Sequence, residues 1–139
     1  MRSIPYLNFD GRCREAFEFY RDVLGGEITG ILTYGESPMA SEMPPESHRG
    51  IMHARLIAGG AELYGSDGPP PGDGTSRTMW VALNVDGAAD AERIFAAFAD
   101  GADVKMPIQG TFWAERFGML VDRYGTAWII NGNLAEEDG

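Results

Sequence analysis

The chain has 139 residues, 44% of them hydrophobic and 11% aromatic, enough to bury the core of one compact unit or of two small modules. Its 21 acidic residues against 11 basic ones give a formal charge of −10, which repels phosphate backbones and anionic lipid, so neither nucleic acid nor a membrane is an expected partner. No apolar run approaches the length of a membrane helix, the opening residues MRSIPYLNFDG turn polar before a signal-peptide core forms, and Cys13 is the only cysteine. These features point to a cytoplasmic protein without internal disulfides.

In chain order, an extended stretch ends in the corner NFDG at 8–11, and Cys13, Ala16, Phe17, Tyr20, Val23 and Leu24 then recur at helical spacing. Glycines at 25 and 26 stop that helix, and strands are expected over 27–35, 50–58 and 61–67. The corner returns as NVDG at 84–87, followed by a helical stripe of Ala88, Ala91, Ile94, Phe95 and Phe98, a glycine at 101, and strand patterns over 103–109, 115–122 and 126–131. Asp10 and Asp86 stand where helix N-caps belong. The expected fold class is therefore α+β with an internal duplication. Module one spans about 1–68 and module two about 77–132, with a Pro- and Gly-rich linker at 69–76.

The segments PYLNFDGRCREAFEFYRDVLGGEI, IMHARL and TFWAERFGMLVDRYGTAWIIN resemble the PhnB-like family of the vicinal oxygen chelate superfamily, the group that includes glyoxalase I, extradiol dioxygenases and bleomycin-sequestering proteins. The resemblance covers nearly the whole chain. It implies two βαβββ modules forming a curved mixed sheet around a crevice, with helices on the outer face, a small organic molecule as ligand and a homodimer as the assembly. It also implies a divalent metal, at positions that fall here on Ile4, Tyr64, Trp80 and Ile129. Ile4, Trp80 and Ile129 carry no nitrogen or oxygen donor suited to such an ion, so no metal or other cofactor is expected at the family's positions.

Alternation along each strand assigns the crevice face. Met79, Val81, Leu83 and Val85 are expected under a helix, leaving Trp80, Ala82 and Asn84 on the crevice side, with Ile4, Tyr6 and Asn8 as their counterparts. In IMHARL, Ile51, His53 and Arg55 share that side, and a turn at Ala58–Gly59 would set Arg55 opposite Glu62 and His53 opposite Tyr64. Glu115, Phe117 and Met119 line it from module two. The candidate ligand-binding residues are thus Tyr6, Asn8, His53, Arg55, Glu62, Tyr64, Trp80, Glu115 and Phe117. Such a mixed aromatic and charged lining suits a flat or apolar body with one or two polar handles.

Each residue also has a plainer role. Arg55 and Glu62 read as a cross-strand ion pair or as an anion site, and His53 as a pocket contact, an acid/base or a metal ligand. An alternative function, a metal-dependent lyase, dioxygenase or transferase, would need a relocated site built from His53, Glu115 and Glu62 or His48. Asp122 and Arg123 read as turn residues, and Phe112 and Trp113 as either a dimer contact or a cover over the pocket. The segment 35–50 is too long for a hairpin turn and reads as a lid or a mobile loop. Walker, GxGxxG, HExxH and CxxC patterns do not occur, nor does a glycine-rich methyl-donor loop.

Overall fold

The computed structural model describes residues 2–68 and 79–134, so the expected linker at 69–76 lies outside the described residues. The chain divides into two compact units, Met1–Thr75 and Ser76–Gly139. Each is a βαβββ module of an α+β, glyoxalase-like fold.

In the first unit, β1 (Tyr6–Phe9), α1 (Cys13–Leu24), β2 (Glu27–Thr33), β3 (Ile51–Ala58) and β4 (Ala61–Asp67) form a mixed sheet of order β1-β4-β3-β2 with α1 on one face. Parity divides the middle of β4, although Ser66, on the face of Glu62 and Tyr64, is buried as well. Leu63 and Gly65 turn toward the helix and are buried, while Glu62 and Tyr64 on the other face are only half-buried. Cys13, Ala16, Phe17 and Tyr20 are the buried stripe of α1, as their spacing predicts, and Phe17 meets Phe9 edge to face at 6.1 Å. The helix lies so close to the sheet that a Cβ on Gly65 would fall 2.6 Å from the Phe17 ring and 3.2 Å from the Cys13 sulfur. No side chain fits there.

The second unit repeats the plan with β5 (Val81–Val85), α2 (Ala88–Ala99), β6 (Asp103–Gln109), β7 (Ala114–Val121) and β8 (Ala127–Leu134), in the order β5-β8-β7-β6. Ala91, Ile94, Phe95 and Phe98 pack on Leu83, Leu120, Trp128 and Ile130, all buried. A Cβ on Gly118 would lie 2.5 Å from the Phe95 ring, and one on Gly132 would lie 2.6 Å from Ala91. Met79, expected under this helix, is instead 80% exposed. The strand begins only at Val81, so the alternation does not extend back to it.

The helix starts differ from expectation. The N-cap positions are Arg12, whose side chain pairs with Glu15 rather than with the helix amides, and Gly87, and Asp10 and Asp86 stay exposed in the corners before them. Capping comes from the last strand of each module. Asp67 Oδ1 accepts the amides of Gly11 and Cys13, both at 2.9 Å, and Asn133 Oδ1 accepts that of Gly87 at 2.8 Å. Gly11 and Gly87 have φ of 100° and 110°, a region that admits glycine readily. Asp67 Oδ2 also accepts the Ile51 amide at 2.8 Å, and its carbonyl accepts the Tyr34 hydroxyl at 2.8 Å. One residue therefore holds the start of α1, the start of β3 and the segment between β2 and β3.

That segment folds as three single turns of 3-10 helix, Tyr34–Glu36, Ala40–Glu42 and Pro45–Ser47. Its ends are joined by Tyr34 N–H to the Gly50 carbonyl at 2.9 Å and Gly35 N–H to the His48 carbonyl at 3.0 Å. Glu36 and Thr33 close a capping box, and the hydrogen bonds from Thr33 hold the Glu36 carboxyl below its ordinary pKa.

Candidate functional site

The β3–β4 hairpin turns at Gly59–Gly60, with Gly59 at φ 57° and Ala58 paired to Ala61. The expected turn at Ala58–Gly59 was one position early. The resulting partners are Arg55 with Tyr64 and Ile57 with Glu62, two residues away from the expected pairs. A slip of two preserves the face of every side chain. The predicted neighbours therefore still meet, as diagonal rather than direct pairs. Arg55 Nε donates to Glu62 Oε1 at 2.7 Å, and the His53 and Tyr64 rings stand edge to face at 5.0 Å.

Tyr6 completes this cluster from β1, with its ring 5.9 Å from His53 and 6.2 Å from Tyr64. Its direct pairing with Tyr64 in the parallel β1–β4 ladder brings them together. Tyr6 is 50% exposed, and the Arg55 and Glu62 side chains are 37% and 15% exposed. Arg2 approaches the second Glu62 oxygen at 3.5 Å, so this carboxylate faces two guanidinium groups. Asn8, one step along β1, accepts the Ser66 hydroxyl at 3.1 Å. Tyr6, Asn8, His53, Arg55, Glu62 and Tyr64 thus share the sheet face opposite α1.

Ile51 departs from this pattern. It was expected beside His53 but is buried, because the β2–β3 register shifts between Leu32 and Thr33, which pair with His53 and Ile51 and leave Met52 unmatched. His48, weighed as a metal ligand, is turned onto its own segment, its Nε2 lying 2.9 Å from the Ala40 carbonyl and 3.1 Å from that of Met43. Among the described residues, no group of three or more His, Cys, Asp or Glu is arranged to hold a metal ion.

In the second unit Phe117 occupies the sheet face opposite α2, paired with Asn131 and edge-on to Trp113 at 5.2 Å. Phe112, 93% exposed, stacks edge-on against Trp113 at 4.8 Å. Glu115 is exposed and accepts from Asn133 Nδ2 at 3.1 Å, and Trp80 is half-buried just before β5. Asn131 was absent from the expected residues. It is buried, donates through Nδ2 to Asn84 at 3.0 Å, and its Oδ1 has no partner among the described residues. The signal for it lay in the repeat, since Asn84 pairs with Asn131 as Asn8 pairs with Ser66.

Asp122 is a turn residue as expected, and also more than that. It is buried, accepts the amides of Tyr124 and Thr126 at 2.9 Å each, and takes the indole N–H of the fully buried Trp128 at 2.9 Å. Among the described residues no helix is long and apolar enough to cross a membrane.

Comparison with known proteins places this geometry in a family. Residues 1–131 match the family model described as 3-demethylubiquinone-9 3-methyltransferase. YjdN of Escherichia coli (strain K12) is 30% identical over 135 residues, covering 91% of this chain and 92% of YjdN. Protein PA1353 from Pseudomonas aeruginosa, a solved structure, is 44% identical with a TM-score of 0.84 and covers 96% of this chain and 98% of that one. The PhnB protein from Bacillus cereus, at 23% identity, shares the fold with a TM-score of 0.78 over 95% of this chain and 99% of its own. The chain belongs to the PhnB-like family, and it shares the fold of solved glyoxalase/bleomycin resistance proteins.

Proposed function

We propose that the protein binds a small organic molecule on the first-module sheet face that carries Tyr6, His53 and Tyr64. The observation that carries this reading is the cluster of three rings within 5.0 to 6.2 Å of one another, on a face left partly open and bordered by the Arg55–Glu62 pair. Rings set edge to face leave aromatic surface on which a planar body can lie, and stacking of this kind contributes about 0.5–1.5 kcal/mol beyond burial. His53 and Arg55 supply the polar handles. Glu62 holds the guanidinium in place and tempers its charge, so a ligand anion competes with a carboxylate already bonded at 2.7 Å. Selectivity for ligands with a weak or delocalised negative charge follows. Asn8 is assigned to the same site, and Trp80, Glu115 and Phe117 are proposed as ligand contacts of module two itself.

Positions 4, 80 and 129, where the family resemblance would set metal ligands, hold Ile, Trp and Ile. Their chemistry does not fit a divalent ion, so the reading is binding or sequestration without chelation. A homodimer and a cytoplasmic setting belong to the same proposal, the latter supported by the single, buried thiol.

The test is a titration of the full chain with small aromatic and anionic compounds, read on the His53 ring protons and on tryptophan fluorescence. Saturable shifts at His53 that weaken in Tyr64→Ala are expected. Stoichiometric metal in chelator-free protein, lost in His53→Ala, would overturn the reading.

A further inference from the structure

We infer that the first module carries a second binding site, for a monoanionic organic acid, in the cavity beneath the segment joining β2 and β3. This goes beyond the sheet-face site. The cavity has a volume of about 640 Å³, and its lining contains none of Tyr6, His53, Arg55, Glu62 or Tyr64. That size falls in the range of small-molecule pockets. Its apolar wall is Tyr34, Met39 and Met43, its charged groups are Glu46, Arg49 and Asp67, and Ser47 and the backbone of Gly11, Gly50 and Gly68 complete the lining.

The polar groups are not equivalent. Both Asp67 oxygens are committed, accepting the amides of Gly11, Cys13 and Ile51 at 2.8 to 2.9 Å, and the Tyr34 hydroxyl is committed to the Asp67 carbonyl. Arg49, by contrast, has no ion pair or hydrogen bond among the described residues, although Glu46 lines the same cavity. In a chain of net charge −10, an exposed, unpaired guanidinium on the lining of a cavity with an apolar wall is the group a carboxylate would seek, in a bidentate fork. Met39 and Met43 offer flexible, polarisable side chains that adjust to the shape of an apolar body. Glu46 sets the charge limit, because a second acidic group on the ligand would meet its carboxylate. The site therefore selects one carboxylate on a flat or flexible hydrocarbon body.

The test uses the full chain with 13C-labelled methionine methyls, titrated with 4-phenylbutyrate and, in parallel, with its uncharged amide. Saturable shifts of the Met39 and Met43 methyls are expected with the acid. Arg49→Gln should weaken binding about tenfold, the loss of one charge-assisted contact. The amide should bind the unaltered protein correspondingly less tightly, a comparison that needs no variant to fold. Methyls unmoved at millimolar acid, equal binding of acid and amide, or unchanged affinity in Arg49→Gln would each overturn the proposal. Shifts at His53 without shifts at these methyls would overturn it while leaving the sheet-face site intact.

Discussion

Asp67 accepts the amide hydrogen of Cys13 at 2.9 Å across 54 residues of sequence, so α1 is capped from the far end of its own module. The same carboxylate takes the amides of Gly11 and Ile51. Asp67→Ala leaves three backbone donors without their acceptor and is expected to lower unfolding stability by roughly 2–3 kcal/mol, measured by urea denaturation. Asp67→Asn should lose less than Asp67→Ala but still measurably, because its amide oxygen can go on accepting the Gly11 and Cys13 amides while its amide nitrogen cannot accept that of Ile51. A cost within a few tenths of a kcal/mol for Asn would show that charge and acceptor count do not matter here.

Cys13 is expected to resist thiol reagents while the protein is folded. Burial, with a further contribution from the Asp67 charge, raises its pKa from 9.0 to about 12. The sign follows from proton binding. Between those values the folded state keeps a proton that the unfolded state has lost, so this group's stabilisation is full below about pH 9 and declines as pH rises toward about 12. The stability of the native protein should therefore fall more steeply over that window than that of Cys13→Ala. Parallel slopes would remove the thiol as the cause.

Gly65→Ala and Gly118→Ala should each destabilise by about 1–3 kcal/mol, the range for forcing extra atoms into a packed core. Each new methyl would start under 3 Å from a phenylalanine ring. Gly30→Ala is the control, since nothing lies within 4 Å of its Cβ direction and its φ is not positive. Its thermal midpoint should stay the same or rise slightly.

The Arg55–Glu62 pair should show a coupling energy of about 0.5–1 kcal/mol in a double-mutant cycle, as expected for partly exposed charges. Glu62→Gln is expected to weaken with added salt less than the native pair does. It should also tighten binding of anionic ligands on the sheet face, because Arg55 then has no competing carboxylate. Weaker anion binding in Glu62→Gln would assign Glu62 to ligand contact rather than to restraint of Arg55.

The sequence made the two modules readable because the repeat carries several independent signals at once: corner, helical stripe, stop glycine and strand order. It also made the face of His53, Arg55, Glu62 and Tyr64 readable, since facing depends only on parity and survives a two-residue error in register. The turn itself was harder. Ala58, Gly59, Gly60 and Ala61 offer adjacent glycines, and either placement satisfies local turn chemistry. Asp67 and Asn133 were missed as caps for a different reason. A cap from the same corner is visible as a short pattern, whereas one delivered by a distant strand becomes apparent only once the strands are paired. Ile51 was misassigned because a bulge interrupts alternation without leaving a composition signal.

Each helix rests in part directly on backbone, with Gly65, Gly118 and Gly132 standing where side chains would otherwise separate helix from sheet. Side chains on the opposite face therefore take no part in holding the helix down. Along β4 the division is residue by residue: 63 and 65 belong to the packing, 62 and 64 to the open surface. Such a scaffold can exchange one recognition surface for another by substitutions at alternate positions of a single strand. Divergence in what relatives of this chain bind need leave no trace in how they fold.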